Sequence, residues 1–320
     1  MKKVKETQPK KKTAYSISLD KEQLKKLKQW CKEHNWPSFE IEHADFAFKG
    51  ETVKVVGYKS GKVVIQGKGT EHFVAFVLEG EITGVPQLGY EVVHHPEWFE
   101  LHAGLDESGK GDFFGPLVSC CVIADKEMVE KWLEAGIKDS KRIGSDAQIF
   151  KFEEVIKQTP GVEFKVMYAG MRKYNELHGR FGANTNKLLA WFHAKALEEA
   201  LKRRIVPWAM LDQFTKEPLV QSYFKNNPIE IRMETKAERD PVVAAASILA
   251  RAEYLRQMQK LSQLYGEELP KGASDPKVKE LGKKIIEQMG EDALEDFAKT
   301  HFKTASEIVE QLKAAKRKAK

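Results

Sequence analysis

Two adjacent carboxylates, Asp106 and Glu107, occur in a stretch of mostly small or apolar residues, AGLDESGKGDFFGPLVSCCVIAD (103–125). Side chains alternate between the two faces of a strand, so neighbouring acids on a regular strand point in opposite directions. The acids can converge if the chain bends beside them, and the three glycines that follow permit such a bend. This stretch therefore predicts chemistry that needs two carboxylates beside a loop with little side-chain bulk.

Two other segments place acids where they could join this pair. The apolar strand VPWAMLD (206–212) ends in Asp212, and ETKAERDPVVAAAS (234–247) places Glu238 and Asp240 just before a helix. The ends of strands in an α/β sheet meet at one edge, and a helix N-terminus carries partial positive charge. Clustered carboxylates repel one another unless they bind cations, and hard oxygen ligands suit Mg²⁺ or Mn²⁺. A divalent metal site is therefore predicted, and its fourth acid stays open between Glu238 and Asp240.

Two familiar glycine-loop sites do not fit the residues after the acid pair. A P-loop requires Ser or Thr directly after its Gly-Lys, whereas Lys110 precedes Gly111 and Asp112. A calcium loop begun at the first acid would need a ligand at Lys110 and an acid at Leu117. A loop that allows close backbone approach, with Lys110 to meet a phosphate, suits phosphodiester cleavage by two cations about 4 Å apart. Such a loop could also contact a ribose 2′-hydroxyl.

The elements that position these residues fall into two regions. The order β-α-β-β-β-α predicts a compact α+β domain over 13–83, followed by a linker over 84–100. Alternating strands and helices over 101–312 predict a mixed α/β domain with a central sheet. The helices are predicted over 127–136, 185–203, 242–266, 276–290 and 291–300. In the first domain, Phe46 and Phe48 share one face of a strand and either contact a ligand or form core. On another strand Lys62, Val64 and Gln66 share a face.

Composition excludes some classes of protein and leaves others open. No apolar run approaches the roughly 18 residues that span a bilayer, and the first residues lack the apolar segment of a signal peptide. The three cysteines form no disulfide pattern, which favours a reducing cytoplasm. The net charge of +6 is concentrated in basic tails over 1–12 and 313–320, so the charge alone does not identify a nucleic-acid-binding protein.

The segment DESGKGDFFGPLV (106–118) resembles the signature of prokaryotic type 2 ribonucleases H, and its Ser-Gly-Lys-Gly form resembles ribonuclease HIII. Further segments similar to this family follow in the expected order: IKDSKRI (137–143), YNELHGRFGANTNKLLAWFHAKAL (174–197), LDQF (211–214), ETKAERDPVVAAASILAR (234–251), LPKGAS (269–274) and KTHFKTA (299–305). The resemblance covers roughly 101–306. The N-terminal domain resembles the TATA-binding-protein-like substrate-binding domain of ribonuclease HIII.

The resemblance implies a ribonuclease H-like catalytic domain preceded by a small α+β TATA-binding-protein-like domain. It also implies an endonuclease that cuts the RNA strand of RNA–DNA hybrids and leaves 5′-phosphate and 3′-hydroxyl ends. Asp106, Glu107 and Asp212 match the family's metal-binding carboxylates, and two Mg²⁺ or Mn²⁺ ions are expected. Glu238 is the favoured fourth catalytic acid, with Asp240 as the alternative. We expect a monomer that acts on the hybrid and has no membrane partner.

The resemblance also implies a set of substrate-binding residues: Ser108, Gly109, Lys110, Gly111, Ser140, Lys141, Asn184 and Asn186. Asn184 and Asn186 alternatively cap the helix that begins near Lys187. His193, within an amphipathic helix, is expected to be a packing residue. Two competing functions are a DNA nuclease of the resolvase or transposase type and a non-catalytic hybrid-binding protein. A loop that contacts 2′-hydroxyls argues against the first, and carboxylates that repel a polyanion argue against the second.

Overall fold

The computed structural model describes residues 13–84, 95–137, 143–225 and 227–318. Ser140, Lys141, most of the predicted linker and the predicted tail over 1–12 lie outside these ranges. Contacts within the chain divide it into two compact units, with the boundary between Glu97 and Trp98.

The first unit has the predicted order of elements, with an antiparallel sheet arranged β1-β4-β3-β2. Its elements are β1 (Ala14–Ser18), α1 (Lys21–Glu33), β2 (Ala44–Lys49), β3 (Lys54–Tyr58), β4 (Lys62–Gln66) and α2 (Thr70–Phe73), which continues as a π-helix over Val74–Thr83. Asp20 begins α1 by accepting a hydrogen bond from the Gln23 amide at 2.8 Å, and the Gln23 side-chain oxygen Oε1 accepts one from the Asp20 amide.

One face of this sheet packs on the helices and forms the core. Phe46 and Phe48 are buried there together with Val55, Val63 and Ile65. The core interpretation of the two phenylalanines is therefore confirmed, and they are not exposed for a ligand. Because side chains alternate along a strand, Lys62, Val64 and Gln66 point to the opposite face of the sheet.

The second unit is a mixed α/β domain, as predicted. Its elements are β5 (His102–Ser108), β6 (Val118–Ala124), α3 (Lys126–Glu134), α4 (Asp146–Gln158), β7 (Glu163–Tyr168), α5 (Met171–Arg180), α6 (Thr185–Leu201), β8 (Trp208–Asp212), β9 (Glu230–Glu234), α7 (Pro241–Tyr265), α8 (Pro276–Met289) and α9 (Lys303–Lys318). The sheet order is β7-β6-β5-β8-β9. The pairs β5–β6 and β6–β7 are antiparallel, whereas β5–β8 and β8–β9 are parallel.

The sheet of the second unit is covered by α6 on one face and by α7 on the other. Leu105 and Leu211 pack with α6 residues such as Ala194 and Leu197. On the α7 face the helix lies close to β5, since a Cβ atom added to Gly104 would be 2.4 Å from the backbone of Val242. Burial of nearly every residue in the first half of α7 explains its run of small apolar side chains.

Two segments differ from expectation. The basic segment predicted as a tail from residue 313 is helical through Lys318, because its alanines, lysines and arginine are all good helix formers. The segment 291–300, predicted to be a helix, forms only a 3-10 turn over Glu291–Asp296. Within the described ranges no helix is both long and apolar enough to cross a bilayer.

Candidate active site

Asp106 and Asp212 lie side by side at the end of two parallel strands. The last register pair of β5 and β8 is Leu105 with Leu211, so the two aspartates occupy the next position on each strand. Neighbouring strands are roughly 4.8 Å apart. Because Leu105 and Leu211 face α6, strand alternation turns both aspartates toward α7. The Glu107 amide donates to Asp106 Oδ1 at 2.8 Å, which fixes that carboxylate.

Glu107 belongs to the other face of the sheet. Strand β5 stays paired with β6 through Asp106–Cys120, Glu107–Ser119 and Ser108–Val118. The chain therefore does not bend at the acid pair, because the strand continues past it to Ser108. Glu107 instead extends over the strand end on the α6 side, where His193 Nε2 is 3.1 Å from its Oε2.

His193 connects Glu107 to the neighbouring strand. Its Nδ1 is 2.8 Å from the hydroxyl of Ser119, and the ring is only 1% exposed. These contacts fit an imidazole that accepts from the Ser119 hydroxyl at Nδ1 and donates from Nε2 to Glu107. His193 is thus buried, as predicted for a packing residue, but sequence reasoning missed its contact with Glu107.

A cleft of about 390 Å³ opens beside the three acids. We call it the acidic cleft, and its lining residues are Asp106, Glu107, Ser108, Gly109, Lys110, Gly111, Asp112, Asp212, Ser247, Arg251, Tyr254, Leu255 and Lys271. The structure thus brings the acid pair, Asp212 and the glycine segment together around one opening. Four of the unpredicted residues, Ser247, Arg251, Tyr254 and Leu255, lie on one face of α7 at helical spacing. That spacing was visible in the sequence, but within a helix identified only as core.

The segment 109–111, here called the glycine loop, has two glycines with different roles. Gly109 has φ +83°, and an added Cβ would be 2.2 Å from the Pro116 carbonyl oxygen, so the fold itself requires glycine there. A Cβ on Gly111 would meet nothing within 4 Å. The packing of the protein therefore does not require glycine at position 111. The space over Gly111 is open to a molecule bound in the cleft.

The residues after the glycine loop are anchored by distant segments. The buried Lys299 ammonium donates to the carbonyl oxygens of Asp112, at 2.8 Å, and Gly115. The Phe113 amide donates to the Gly272 carbonyl at 3.0 Å. Burial lowers the pKa of Lys299 to about 7. Sequence reasoning matched this part of the chain to the family but gave Lys299 no role.

The two candidates for the fourth acid have different surroundings. Asp240 is buried: its Oδ1 accepts from the Val242 amide at 2.8 Å as the N-cap of α7, and its Oδ2 is 2.8 Å from His102 Nε2. Burial lowers the pKa of His102, but the Asp240 carboxylate and the hydrogen bond with the Glu100 carbonyl together more than offset this, so the pKa is raised. Glu238 lies in a 3-10 turn, Ala237–Arg239. The Ala237 amide donates to Asp212 Oδ1 at 3.2 Å, which ties this turn to the acids.

The remaining predicted contacts lie elsewhere. Asn184 Oδ1 accepts from the Lys187 amide at 3.0 Å, so Asn184 is the N-cap of α6, as its alternative interpretation predicted. Neither Asn184 nor Asn186 lines the acidic cleft, and Glu238 and Asp240 do not line it either. Lys110 does line it, with its Nζ 3.9 Å from Glu107 Oε1 and 5.3 Å from the centre of the Phe214 ring.

The donors at the acidic cleft suit a hard divalent cation. Asp106, Glu107 and Asp212 supply only carboxylate oxygens. Across the described part of the chain, no three His, Cys, Asp or Glu side chains are grouped closely enough to form a complete metal cage. Mg²⁺ does not need such a cage, because it commonly takes one or two carboxylates and keeps several waters or substrate oxygens. The adjacent Asp106 and Asp212 therefore fit this type of ion.

Comparisons with known proteins agree along most of the chain. Residues 103–305 match the family "Ribonuclease HII", and residues 15–83 match a "Domain of unknown function (DUF3378)". A protein named ribonuclease HIII from Chlamydia caviae is 39% identical over 293 residues, covering 90% of this chain and 95% of that protein. Ribonuclease HIII from Chlamydia muridarum is 41% identical over 272 residues, covering 83% and 87%.

A solved structure shows the same overall similarity. The crystal structure of Bst-RNase HIII in complex with Mn²⁺ matches with a TM-score of 0.63 at 30% identity, covering 92% of this chain and 98% of that one. On these family, sequence and structural matches, the chain belongs to the ribonuclease HII family and is a ribonuclease H of the HIII type.

Proposed function

We propose that this protein cleaves the RNA strand of RNA–DNA hybrids at the acidic cleft with two divalent cations, Mg²⁺ or Mn²⁺. The observation that carries the proposal is the adjacency of Asp106 and Asp212 at the ends of parallel strands, with Glu107 at the same opening. Mn²⁺ is present in the complex of the similar Bst-RNase HIII. Bound at these carboxylates, the cations would activate a water molecule and stabilise the charge on the leaving oxygen.

The protein's own residues would bind and orient the substrate. Asp106, Glu107 and Asp212 would hold the cations, with the two aspartates on the α7 side of the sheet and Glu107 on the α6 side. The glycine loop, with Ser108, lets the ribose 2′-hydroxyl approach the backbone, because the space over Gly111 is open. Lys110 supplies positive charge to a phosphate at the same opening. Attack of the water on phosphorus would break the bond from phosphorus to the 3′-oxygen, which leaves 5′-phosphate and 3′-hydroxyl ends.

Glu238 is the better candidate for the fourth catalytic acid. Both Asp240 oxygens already have partners within the fold, His102 and the Val242 amide. Moving Asp240 to a cation would leave a buried histidine without its carboxylate, which is costly. The turn that carries Glu238 is bonded to Asp212 instead, which connects this segment directly to one of the proposed metal ligands.

The N-terminal domain (13–83) is proposed to bind the hybrid through the sheet face that points away from its helices. Lys49, Lys54 and Lys62 are exposed. Strand alternation places them on this face, opposite the buried Phe48, Val55 and Val63. Cations on an open sheet suit phosphates. Ser140, Lys141, Asn184 and Asn186 are retained as predicted contacts to the nucleic-acid backbone.

A monomer in the cytoplasm is the proposed state of the protein. One chain supplies all three proposed metal-binding carboxylates, Asp106, Glu107 and Asp212, so catalysis needs no second copy. The cysteines are free and buried, and burial raises the pKa of the Cys121 thiol, which suits a reducing compartment. Light scattering of the purified protein tests the first statement, and a cell-fractionation blot tests the second.

The cleavage assay offers three substrates, an RNA–DNA hybrid, an all-DNA duplex and a duplex with one ribonucleotide, each with Mg²⁺ or EDTA. We expect metal-dependent cleavage of the hybrid and none of the all-DNA duplex. Cleavage of the all-DNA duplex would favour the resolvase-type alternative. Binding of the hybrid without cleavage under any metal condition would leave only a binding function.

The variant Asp106→Asn tests the site within the same assay. We expect cleavage to fall at least about 100-fold, since loss of a ligand should exceed the effect of losing a residue behind a ligand. Binding of the hybrid should change little. The matched control is Asp275→Asn, which removes a carboxylate at the N-cap of α8 while Asn still caps. Near wild-type cleavage by Asp106→Asn would refute the site.

A further inference from the structure

The wall of the acidic cleft formed by α7 and Lys271 carries positive charge that the catalytic proposal does not use. Arg251 and Lys271 both line the cleft, and we call them the basic pair. The same carboxylate contacts both: Lys271 Nζ is 2.6 Å from Asp146 Oδ2, and an Arg251 terminal nitrogen is 3.9 Å from Asp146 Oδ1. Both cations therefore lie at the opening, next to one carboxylate at the start of α4.

Both members of the basic pair are held by rigid elements. Arg251 projects from the buried helix α7, one turn after Ser247, which also lines the cleft. Lys271 precedes Gly272, whose amide donates to the Asp112 side chain and whose carbonyl accepts from the Phe113 amide. The segment that carries Lys271 is therefore bonded to the segment just after the glycine loop.

The ion pairs with Asp146 do not prevent Arg251 and Lys271 from binding a phosphate. The side chains of Lys271, Arg251 and Asp146 are 48%, 31% and 44% exposed, and solvent-exposed ion pairs contribute only about 0–1 kcal/mol. A phosphate in the cleft can therefore engage both cations. Arg offers a planar fork that binds two phosphate oxygens, and Lys adds a compact charge.

We propose that Arg251 and Lys271 form a subsite for a backbone phosphate of the RNA strand next to the one that is cleaved, and that Asp146 holds the two cations side by side in the free protein. This inference rests on the proposed function, because the strand that is cut must lie in the acidic cleft. The subsite opposes the repulsion between the substrate and the carboxylates and fixes the strand across the opening.

Salt dependence distinguishes a phosphate contact from a structural role. Each lost contact between a cation and a duplex phosphate reduces the slope of log K against log salt by about 0.9. Hybrid binding is measured over a salt series in the full-length protein carrying Asp106→Asn. We expect Arg251→Gln and Lys271→Gln each to reduce the slope by about one. Arg251→Lys should preserve the slope, because it keeps the charge.

Two control variants separate loss of charge from loss of fold. Lys279→Gln removes a lysine whose side chain is 45% exposed and pairs with Glu307 at 2.8 Å outside the cleft, and the slope should not change. Asp146→Asn removes the shared carboxylate but leaves both cations, so the slope should also be preserved. Slopes unchanged in Arg251→Gln and Lys271→Gln would overturn the proposal, as would an equal reduction in Lys279→Gln.

The strand is identified with neutral linkages. Methylphosphonates are placed one at a time beside the cleaved bond in the RNA strand or at the facing positions of the DNA strand. We expect a methylphosphonate at one position of the RNA strand to weaken hybrid binding by the protein that carries only Asp106→Asn. The same linkage should have little further effect once Lys271→Gln is added. If only methylphosphonates in the DNA strand behaved in this way, the assignment to the RNA strand would be overturned. Hybrid cleavage by the wild type is recorded in parallel, so failure of the proposed function is seen separately.

Discussion

Replacing His193 with Leu tests how Glu107 is held at the acidic cleft. The substitution removes the donor 3.1 Å from Glu107 Oε2 and leaves the Ser119 hydroxyl without its 2.8 Å partner. Leu has a similar size, so the buried volume is largely kept. Because Glu107 projects from the opposite face of the sheet to Asp106 and Asp212, its direction at the cleft depends on this contact.

The size of the effect follows from the burial and charge of the contact. A hydrogen bond to a charged group contributes about 1.5–3 kcal/mol, and the His193 ring that makes this one is buried. That free energy corresponds to about 10–150-fold in an equilibrium constant. Loss of a residue behind a metal ligand usually weakens metal binding about 10–100-fold. We therefore expect weaker Mn²⁺ binding by about 10–100-fold, with the KM for hybrid little changed.

The assay is calorimetric titration of Mn²⁺ without substrate, followed by cleavage rates over a range of Mn²⁺ concentrations. Excess Mn²⁺ should recover part of the rate, and His193→Gln should fall between wild type and Leu because its amide can still donate. The matched control is His178→Leu, a buried histidine 3.2 Å from the Thr185 hydroxyl and outside the cleft lining. Wild-type Mn²⁺ affinity and rate in His193→Leu would refute this account of Glu107.

Three further predictions concern other parts of the chain. Asp240→Asn should lower the free energy of unfolding by about 3 kcal/mol, because it leaves buried His102 without its charge partner. Glu238→Gln should slow cleavage with little change in Tm. If Glu238→Gln instead lowered Tm and Asp240→Asn only slowed cleavage, Asp240 would be the fourth acid. The pKa of Lys299 is lowered to about 7, so between about pH 7 and 10 the folded protein binds fewer protons than the unfolded chain and its stability increases with pH. Lys299→Met should remove about 1.4 kcal/mol per pH unit from that increase, measured by urea unfolding at pH 7, 8 and 9; an unchanged pH dependence would contradict the lowered pKa. Replacing both Lys54 and Lys62 by Gln should raise the Kd for hybrid without changing kcat, and an unchanged Kd would refute the role of the open sheet face.

The sequence predicted the parts of the site that depend on strand ends. Asp212 ends an apolar run, and the position of strand ends at a sheet edge was enough to place it near Asp106. For Glu107 the sequence left the route to the cleft open, because glycines permit a bend without requiring one. The structure keeps β5 paired with β6 through Ser108, and His193 of α6 contacts Glu107 at the opening.

Residues from distant segments were the ones that sequence reasoning could not place. Arg251 reaches the acidic cleft because α7 packs directly against β5 at Gly104, a distance that no periodicity reveals. A lysine is normally expected to be charged and exposed, yet Lys299 is fully buried. Helices α4, α5 and α9 were also not predicted. Phe46 and Phe48 show the same limit of sequence-based prediction. Alternation along the strand shows that the two side chains share a face of the sheet, but not which face the helices cover.

The direct test of the central claim is anomalous diffraction from crystals of the protein soaked in Mn²⁺. The account predicts peaks at the acidic cleft with carboxylate oxygens of Asp106 and Asp212 about 2.1 Å from a metal position, and with Glu107 adjoining one of them. Peaks confined to other parts of the protein at saturating Mn²⁺, or none at these carboxylates, would contradict it.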